Sequence, residues 1–343
     1  MSIFDVEPYI ASATLEGKSF LIYGTRKVGK TSLAVKFPKP FIVGFERGWS
    51  ALNNVKAVPV KDWNHFKKDF VKPLLKDAEE VEKGKKESLH YSTLIVDTGD
   101  IAYDMCYSYV CSKEGVTHLD ETENKRGYKM CKKEFEDTML SLMKSGYTVV
   151  FISHAEGKQV KDEITKEKED KIIPTMDKNA FAIISRAVDM TAYCRIIDDA
   201  NGETKRVMYL RSNGDFEAGS RWGKHLPNAV MLDYDEFESA VVGAIEKQAE
   251  EDGVTPTAHN VSLFKTADEA VIYDYDELLD KVQQIGKKLH EEDRLEIMTE
   301  LAEQKLGVGK KLSQCSKLQV EVMYSILDMI EDKMREEGIE LPY

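Results

Sequence analysis

Residues 24–31 read Gly-Thr-Arg-Lys-Val-Gly-Lys-Thr, between the apolar run Ser19 to Tyr23 and a stretch of helical spacing, SLAVKF. No other segment limits the fold as much. The pattern G-x-x-x-x-G-K-[ST] calls for a strand, a tight turn and a helix start in immediate succession. Its glycines let the backbone close around anionic oxygens. Successive N–H groups and the helix N-terminus then face those oxygens. The candidate nucleotide-binding residues are therefore Gly24, Thr25, Arg26, Lys27, Val28, Gly29, Lys30, Thr31 and Ser32. Lys30 would reach the β- and γ-phosphates, and the Thr31 hydroxyl would ligate Mg²⁺. The implied ligands are ATP and Mg²⁺.

A Mg²⁺-nucleotide site also needs a carboxylate at the tip of a neighbouring strand. Leu94 to Asp97 (LIVD) is an apolar run ending in an acid, so Asp97 is the second metal-ligand candidate. The alternative is an Asp that caps the next helix, a role that suits Asp100 better. Hydrolysis requires a group that orients water. Thr98 follows Asp97, so no acidic pair stands there. Glu46, just after the run PFIVGF, is the preferred catalytic acid, and Asp100 is the other candidate. Pairing of Glu46 with Arg47 is the competing reading. His154 ends the run VVFIS. A polar side chain at a strand tip of an open α/β sheet faces the ligand crevice. A purely local hydrogen bond is the alternative for His154.

Strand and helix patterns alternate from residue 19 to 155, which predicts an α/β fold with a mainly parallel sheet. Asp189 to Ile197 and Lys205 to Arg211 flank DDANGE and predict a hairpin, which adds antiparallel strands at one side. Tyr275 to Leu289, Glu291 to Leu306 and Ser316 to Glu337 have helical spacing. The expected organisation is a core over 1–250, an acidic polar linker over 251–273 and a small C-terminal helical domain over 274–343.

Composition enters through charge. The net charge is −13, which taken whole argues against a basic nucleic-acid binder. Yet residues 234–343 hold 26 acids and 12 bases, whereas residues 1–233 hold 35 acids and 36 bases. The core is neutral, and the C-terminal third carries the acidity. Such asymmetry points to separate domains with separate partners. No stretch approaches the ~20 apolar residues of a membrane span, and the N-terminus lacks a signal pattern. A cytoplasmic protein without a membrane partner is expected. The five cysteines show no metal-finger spacing.

Several pieces in order resemble the phage-type RecA-like ATPases, within an AAA-ATPase-like phage nucleotide-binding family. Some of its members are single-strand annealing proteins or recombinases. The pieces are GTRKVGKTS, PFIVGFERGW with its Glu-x-Gly, STLIVDTGD, Gly127 and Tyr128 before a helix, GYTVVFISH, MYLRSNG and SRWGKHLP, over about residues 15–230. The resemblance implies a RecA-like P-loop NTPase core. It also implies ATP held between subunits of a homo-oligomeric ring or filament. Glu46 looks like the family's catalytic glutamate and His154 like its γ-phosphate sensor. Arg211, Arg221 and Lys224 become candidates to reach the γ-phosphate or a neighbour's nucleotide, against a reading as solvated surface charge.

RecA-like proteins bind single strands through loops after the sheet strands. KEGVTHLDETENKRGY and GKQVKDEITKEKEDK occupy such positions. The second holds Lys158, Lys161, Lys166, Lys168 and Lys171, balanced by Asp162, Glu163, Glu167, Glu169 and Asp170. These lysines are candidate contacts to DNA phosphates, and a solvated β-hairpin is the alternative. The C-terminal helices would dock a replication or recombination protein, or merely cap themselves. The function these features suggest is an ATP-binding, ATP-hydrolysing protein acting on single-stranded DNA in recombination or annealing. A ring-forming DNA motor, a nucleotide-gated adaptor without turnover and a small-molecule kinase are the rivals.

Overall fold

A computed structural model describes residues 8–161, 168–199, 201–257, 275–307, 309–315 and 319–342. The chain divides into two compact units, Met1–Thr266 and Ala267–Tyr343. Most of the 251–273 segment lies outside the described residues, as do Lys166 and the expected turn near Thr165.

The first unit begins with β1 (Ser19–Gly24), α1 (Lys30–Ala34), β2 (Pro40–Gly44) and β3 (Ala57–Pro59). Next come α2 (Trp63–His65), a π-helical turn (Phe66–Val71) and α3 (Lys72–Glu82). These three form one continuous helical passage. They are followed by β4 (Thr93–Asp97), α4 (Gly99–Glu114), α5 (Arg126–Lys144), β5 (Thr148–Lys161), β6 (Lys168–Pro174) and α6 (Lys178–Ala187). The unit closes with β7 (Met190–Asp198), β8 (Thr204–Tyr209), β9 (Gly219–Ser220), β10 (Ala229–Met231) and α7 (Tyr234–Glu251).

The sheet order is β10-β8-β7-β1-β5-β4-β2-β3, with β6 on β5 and β9 on β7. From β7 to β3 every neighbouring pair is parallel. β8, β10 and β9 add antiparallel pairs on the β7 side. The architecture is therefore mixed α/β with a mostly parallel sheet.

The strands are buried on both faces, which is why they read as unbroken apolar runs. Phe20, Ile22, Ile95, Val150 and Ile152 pack on one face with Leu33, Phe37, Phe237 and Val241. Leu21, Leu94, Val96, Val149 and Phe151 pack on the other with Trp63, Phe66, Phe135 and Met139. The period-2 alternation thus sends neighbouring residues into separate cores.

Register decides what meets at the strand tips. β5 lies between β1 and β4 and aligns Gly24 with His154. Asp97 aligns with Ile152 on one side and with Gly44 on the other. β1, β4 and β2 therefore end side by side, whereas His154, expected at a strand tip, lies within β5, which runs on past those tips to pair with β6.

The second unit holds α8 (Tyr275–Glu291), α9 (Leu295–Leu306) and α10 (Val320–Glu336). Leu278, Val282, Ile285 and Leu289 recur at helical spacing and pack with Met323, Ile326 and Ile330. Among the described residues no helix is long and apolar enough to cross a membrane.

Candidate nucleotide-binding site

The loop between β1 and α1 is fixed at both ends. A Cβ on Gly24 would meet the Cys194 carbonyl oxygen at 2.0 Å, so only glycine fits against β7. Gly29 has φ 115°, a left-handed conformation that glycine adopts without strain. Val28 is fully buried and anchors the loop in the core. Thr25, Arg26, Lys27 and Ser32 are exposed along its outer edge.

Lys30 is buried and folds back over the loop. Its Nζ donates to the carbonyls of Gly24 at 3.0 Å and Thr25 at 2.9 Å. Burial lowers its pKa, and the neighbouring Cys194, Asp97 and Glu46 oppose that shift. The Thr31 hydroxyl donates to Asp97 Oδ2 at 3.1 Å. Asp97 is 1% exposed, and its pKa is raised to about 6. Burial is the main cause, and the charges of Glu46 and Asp100 add to it against the Thr31 hydrogen bond and Lys30.

Glu46 is held by its backbone N–H, which donates to the Asp97 carbonyl at 2.9 Å. Its Oε2 lies 3.5 Å from His154 Nε2, so the side chain it faces is His154 rather than Arg47. Asp100 does not stand open to the crevice with both oxygens. Its Oδ1 accepts from Ser153 at 3.1 Å and from the Thr175 hydroxyl. Among the described residues, the buried side-chain polar atoms left without a hydrogen-bond partner are Trp49 Nε1, Thr98 Oγ1, Asp100 Oδ2 and His154 Nδ1. Trp49 follows β2, Thr98 and Asp100 follow β4, and His154 lies on β5 level with Gly24, where a polar ligand would complete them.

Gly48 leaves room beside three oxygens of this cluster. A Cβ there would lie 3.3 Å from Asp97 Oδ2, 3.3 Å from Glu46 Oε1 and 3.8 Å from Thr31 Oγ1. Three oxygens thus converge on a gap that any larger residue would fill. Hard oxygen donors of this kind suit Mg²⁺, so the residues present fit the metal that the motif implies.

The AAA domain family matches residues 16–222. The chain belongs to the AAA domain family. A relative of the same length range is the SPbeta prophage-derived uncharacterized protein YorG of Bacillus subtilis (strain 168). It is 30% identical over 342 residues, which is 98% of this chain and 99% of that protein. A solved structure, the KaiC-like protein PH0186 from Pyrococcus horikoshii OT3, aligns with 60% of this chain and 83% of its own. Its identity is 14% and its TM-score 0.31.

The AAA domain brings Lys30, Thr31, Glu46, Asp97 and His154 together and leaves other candidates apart. Arg221 pairs with Asp189 at 2.9 Å, and Asp189 also accepts from the Ser19 backbone N–H. Arg221 therefore sits at the start of β1, about 16 Å of strand from Gly24 at ~3.3 Å per residue. Lys224 pairs with Glu251 at 2.5 Å. Arg211 follows β8, whose Met208 aligns with Cys194, so it lies back along the sheet from the strand tips. None of the three meets its own chain's phosphate loop.

β5 and β6 form the expected hairpin, with Lys158 opposite Lys171 and Lys161 opposite Lys168. Lys158 is exposed, whereas Lys171 pairs with Glu217 at 2.7 Å.

Two residues of this AAA domain escaped sequence reasoning. Gly48 carried a signal, the Glu-x-Gly spacing after β2. Arg206 did not, because its place beside Gly29 follows from β7–β8 register, which no local pattern encodes.

Proposed function

We propose that this protein hydrolyses ATP and couples its nucleotide state to binding of single-stranded DNA, in recombination or annealing. The observation that carries the ATPase reading is the Glu46–His154 contact at 3.5 Å, beside the Thr31–Asp97 pair at 3.1 Å. Thr31 and Asp97 would hold Mg²⁺, with the Glu46 carboxylate facing the same gap. Bound there, Mg²⁺ would neutralise charge on the β- and γ-phosphate oxygens. Glu46 would accept a hydrogen bond from the attacking water and orient it. Lys30 would leave the Gly24 and Thr25 carbonyls for phosphate oxygens. His154 would exchange its Glu46 contact for one to the γ-phosphate, and so report whether that phosphate is present.

The DNA reading rests on continuity of strand. β5 runs from Thr148 to Lys161, so His154 and Lys158 belong to one hydrogen-bonded element. A displacement of His154 would be carried into the hairpin, where Lys158, Lys161, Lys168 and Lys171 would contact phosphates. Arg211, Arg221 and Lys224 would serve a neighbouring copy in a ring or filament, and the C-terminal helices a protein partner. This reading keeps the activity in the cytoplasm, where ATP and Mg²⁺ are supplied.

Glu46→Gln is expected to keep ATP affinity and lose about 10²–10³-fold in turnover. Undiminished turnover in that variant would remove Glu46 from the mechanism. In a gel shift at low salt, an ATP-loaded protein should retard a single-stranded oligonucleotide, and Lys158→Glu should weaken the shift. Retardation that ignores both nucleotide and Lys158 would sink the coupling.

A further inference from the structure

The acids and His154 occupy β2, β4 and β5, all on one side of β1, whereas β7 and β8 lie on the other. A nucleoside triphosphate with its γ-phosphate at Glu46 and His154 and its β-phosphate in the loop has one direction left. Its α-phosphate, ribose and base extend toward β7 and β8.

An unusual group waits there. An atom at the Cβ position of Gly29 would lie 3.5 Å from Arg206 Nη1 and 3.5 Å from Leu232 Cδ2. Arg206 is exposed on β8, and among the described residues its guanidinium has no hydrogen-bond or ion-pair partner. Its direct cross-strand neighbour is Ile196, which is 44% exposed despite being a large aliphatic residue. Directly opposed residues of an antiparallel pair share a face. Arg206, Ile196 and Leu232 therefore put a planar cation and two aliphatic side chains beside the phosphate loop. Guanidinium is weakly hydrated and stacks on aromatic faces, which lysine does poorly.

We propose that Arg206, flanked by Ile196 and Leu232, receives the purine base of the bound nucleotide, supplied in cis by the same chain as the phosphate loop. This rests on the nucleotide-binding reading above. The guanidinium stacks on the base, and the aliphatic pair covers its edge.

The test compares wild type, Arg206→Ala and Arg206→Lys for binding of Mg²⁺-ATP, Mg²⁺-ADP and inorganic tripolyphosphate by calorimetry. Both variants are expected to weaken ATP and ADP about tenfold and to leave tripolyphosphate unchanged. Arg206 is exposed, so thermal unfolding without nucleotide should match wild type. Wild-type ATP affinity in Arg206→Ala would overturn the inference and leave the nucleotide reading standing. Rescue by Arg206→Lys, or equal weakening of tripolyphosphate, would overturn it too, since the cation would then serve phosphate. Wild type that binds neither ATP nor tripolyphosphate would instead defeat the nucleotide reading itself.

Discussion

Lys30→Ala is expected to reduce ATP turnover by about 10²–10³-fold and to weaken ATP binding. The reason is visible in the loop itself. Lys30 Nζ spans the Gly24 and Thr25 carbonyls, so its charge is held inside the ring of backbone that would surround a phosphate. Alanine removes that cation and leaves two carbonyls without their donor, each worth about 1–3 kcal/mol if desolvated. A loss of thermal stability should therefore accompany the loss of turnover. Steady-state phosphate release, with unfolding followed in parallel, checks both. Full activity in Lys30→Ala would refute the loop as the catalytic phosphate site.

Asp97→Asn should do the opposite to stability while also abolishing turnover. Burial holds the Asp97 pKa at about 6, above the 3.8 of an ordinary aspartate. Between those values the folded chain keeps a proton that the unfolded chain has released. The stability associated with that proton is present below about pH 4 and lost as pH rises through 6. At pH 7.5 the ionised, buried carboxylate then costs the metal-free protein about 2–3 kcal/mol. Asparagine keeps the shape and an acceptor for the Thr31 hydroxyl but carries no charge. In chelator, Asp97→Asn should unfold several degrees higher than wild type at pH 7.5, and the gap should close toward pH 4. Adding Mg²⁺-ATP should reverse the order, since ligand binding stabilises only the protein that holds it. A variant less stable than wild type in chelator would show that Asp97 is satisfied without a metal.

Both expectations concern residues whose chemistry was legible in the sequence. Gly24 to Ser32 form a contiguous motif, and Asp97 ends an apolar run. Glu46 and His154 were legible as polar residues just after buried apolar runs, though not as partners of each other. Their contact requires β2, β4 and β5 to be neighbours, and β5 to sit between β1 and β4. Arg211, Arg221 and Lys224 show the limit from the other side. Their spacing after the last strands suggested a shared role, yet Arg221 is tied to Asp189 at the start of β1 and Lys224 to Glu251. The hairpin lysines divide similarly: Lys158 is exposed, whereas the Lys171 opposite it is tied to Glu217.

The net charge adds a second lesson about locality. Its acidity is concentrated after residue 234, so residues 1–233, which hold the phosphate loop, carry 36 bases against 35 acids. That partition could be counted along the chain, because charge needs no partner to be read.

By itself, the sequence determined the phosphate loop, the Asp97 strand, the α/β alternation and the helical C-terminal unit. Each depends on residues a few positions apart, through the 2.0 and 3.6 periodicities and the special backbone freedom of glycine. Tertiary structure alone decided that Glu46 meets His154, that Gly48 keeps a gap over three oxygens, and that Arg206 stands beside Gly29. Those relations depend on strand order and register between segments far apart in the chain. Such pairings are selected by how two whole cores pack on the two faces of the sheet, and no short window of residues carries that information.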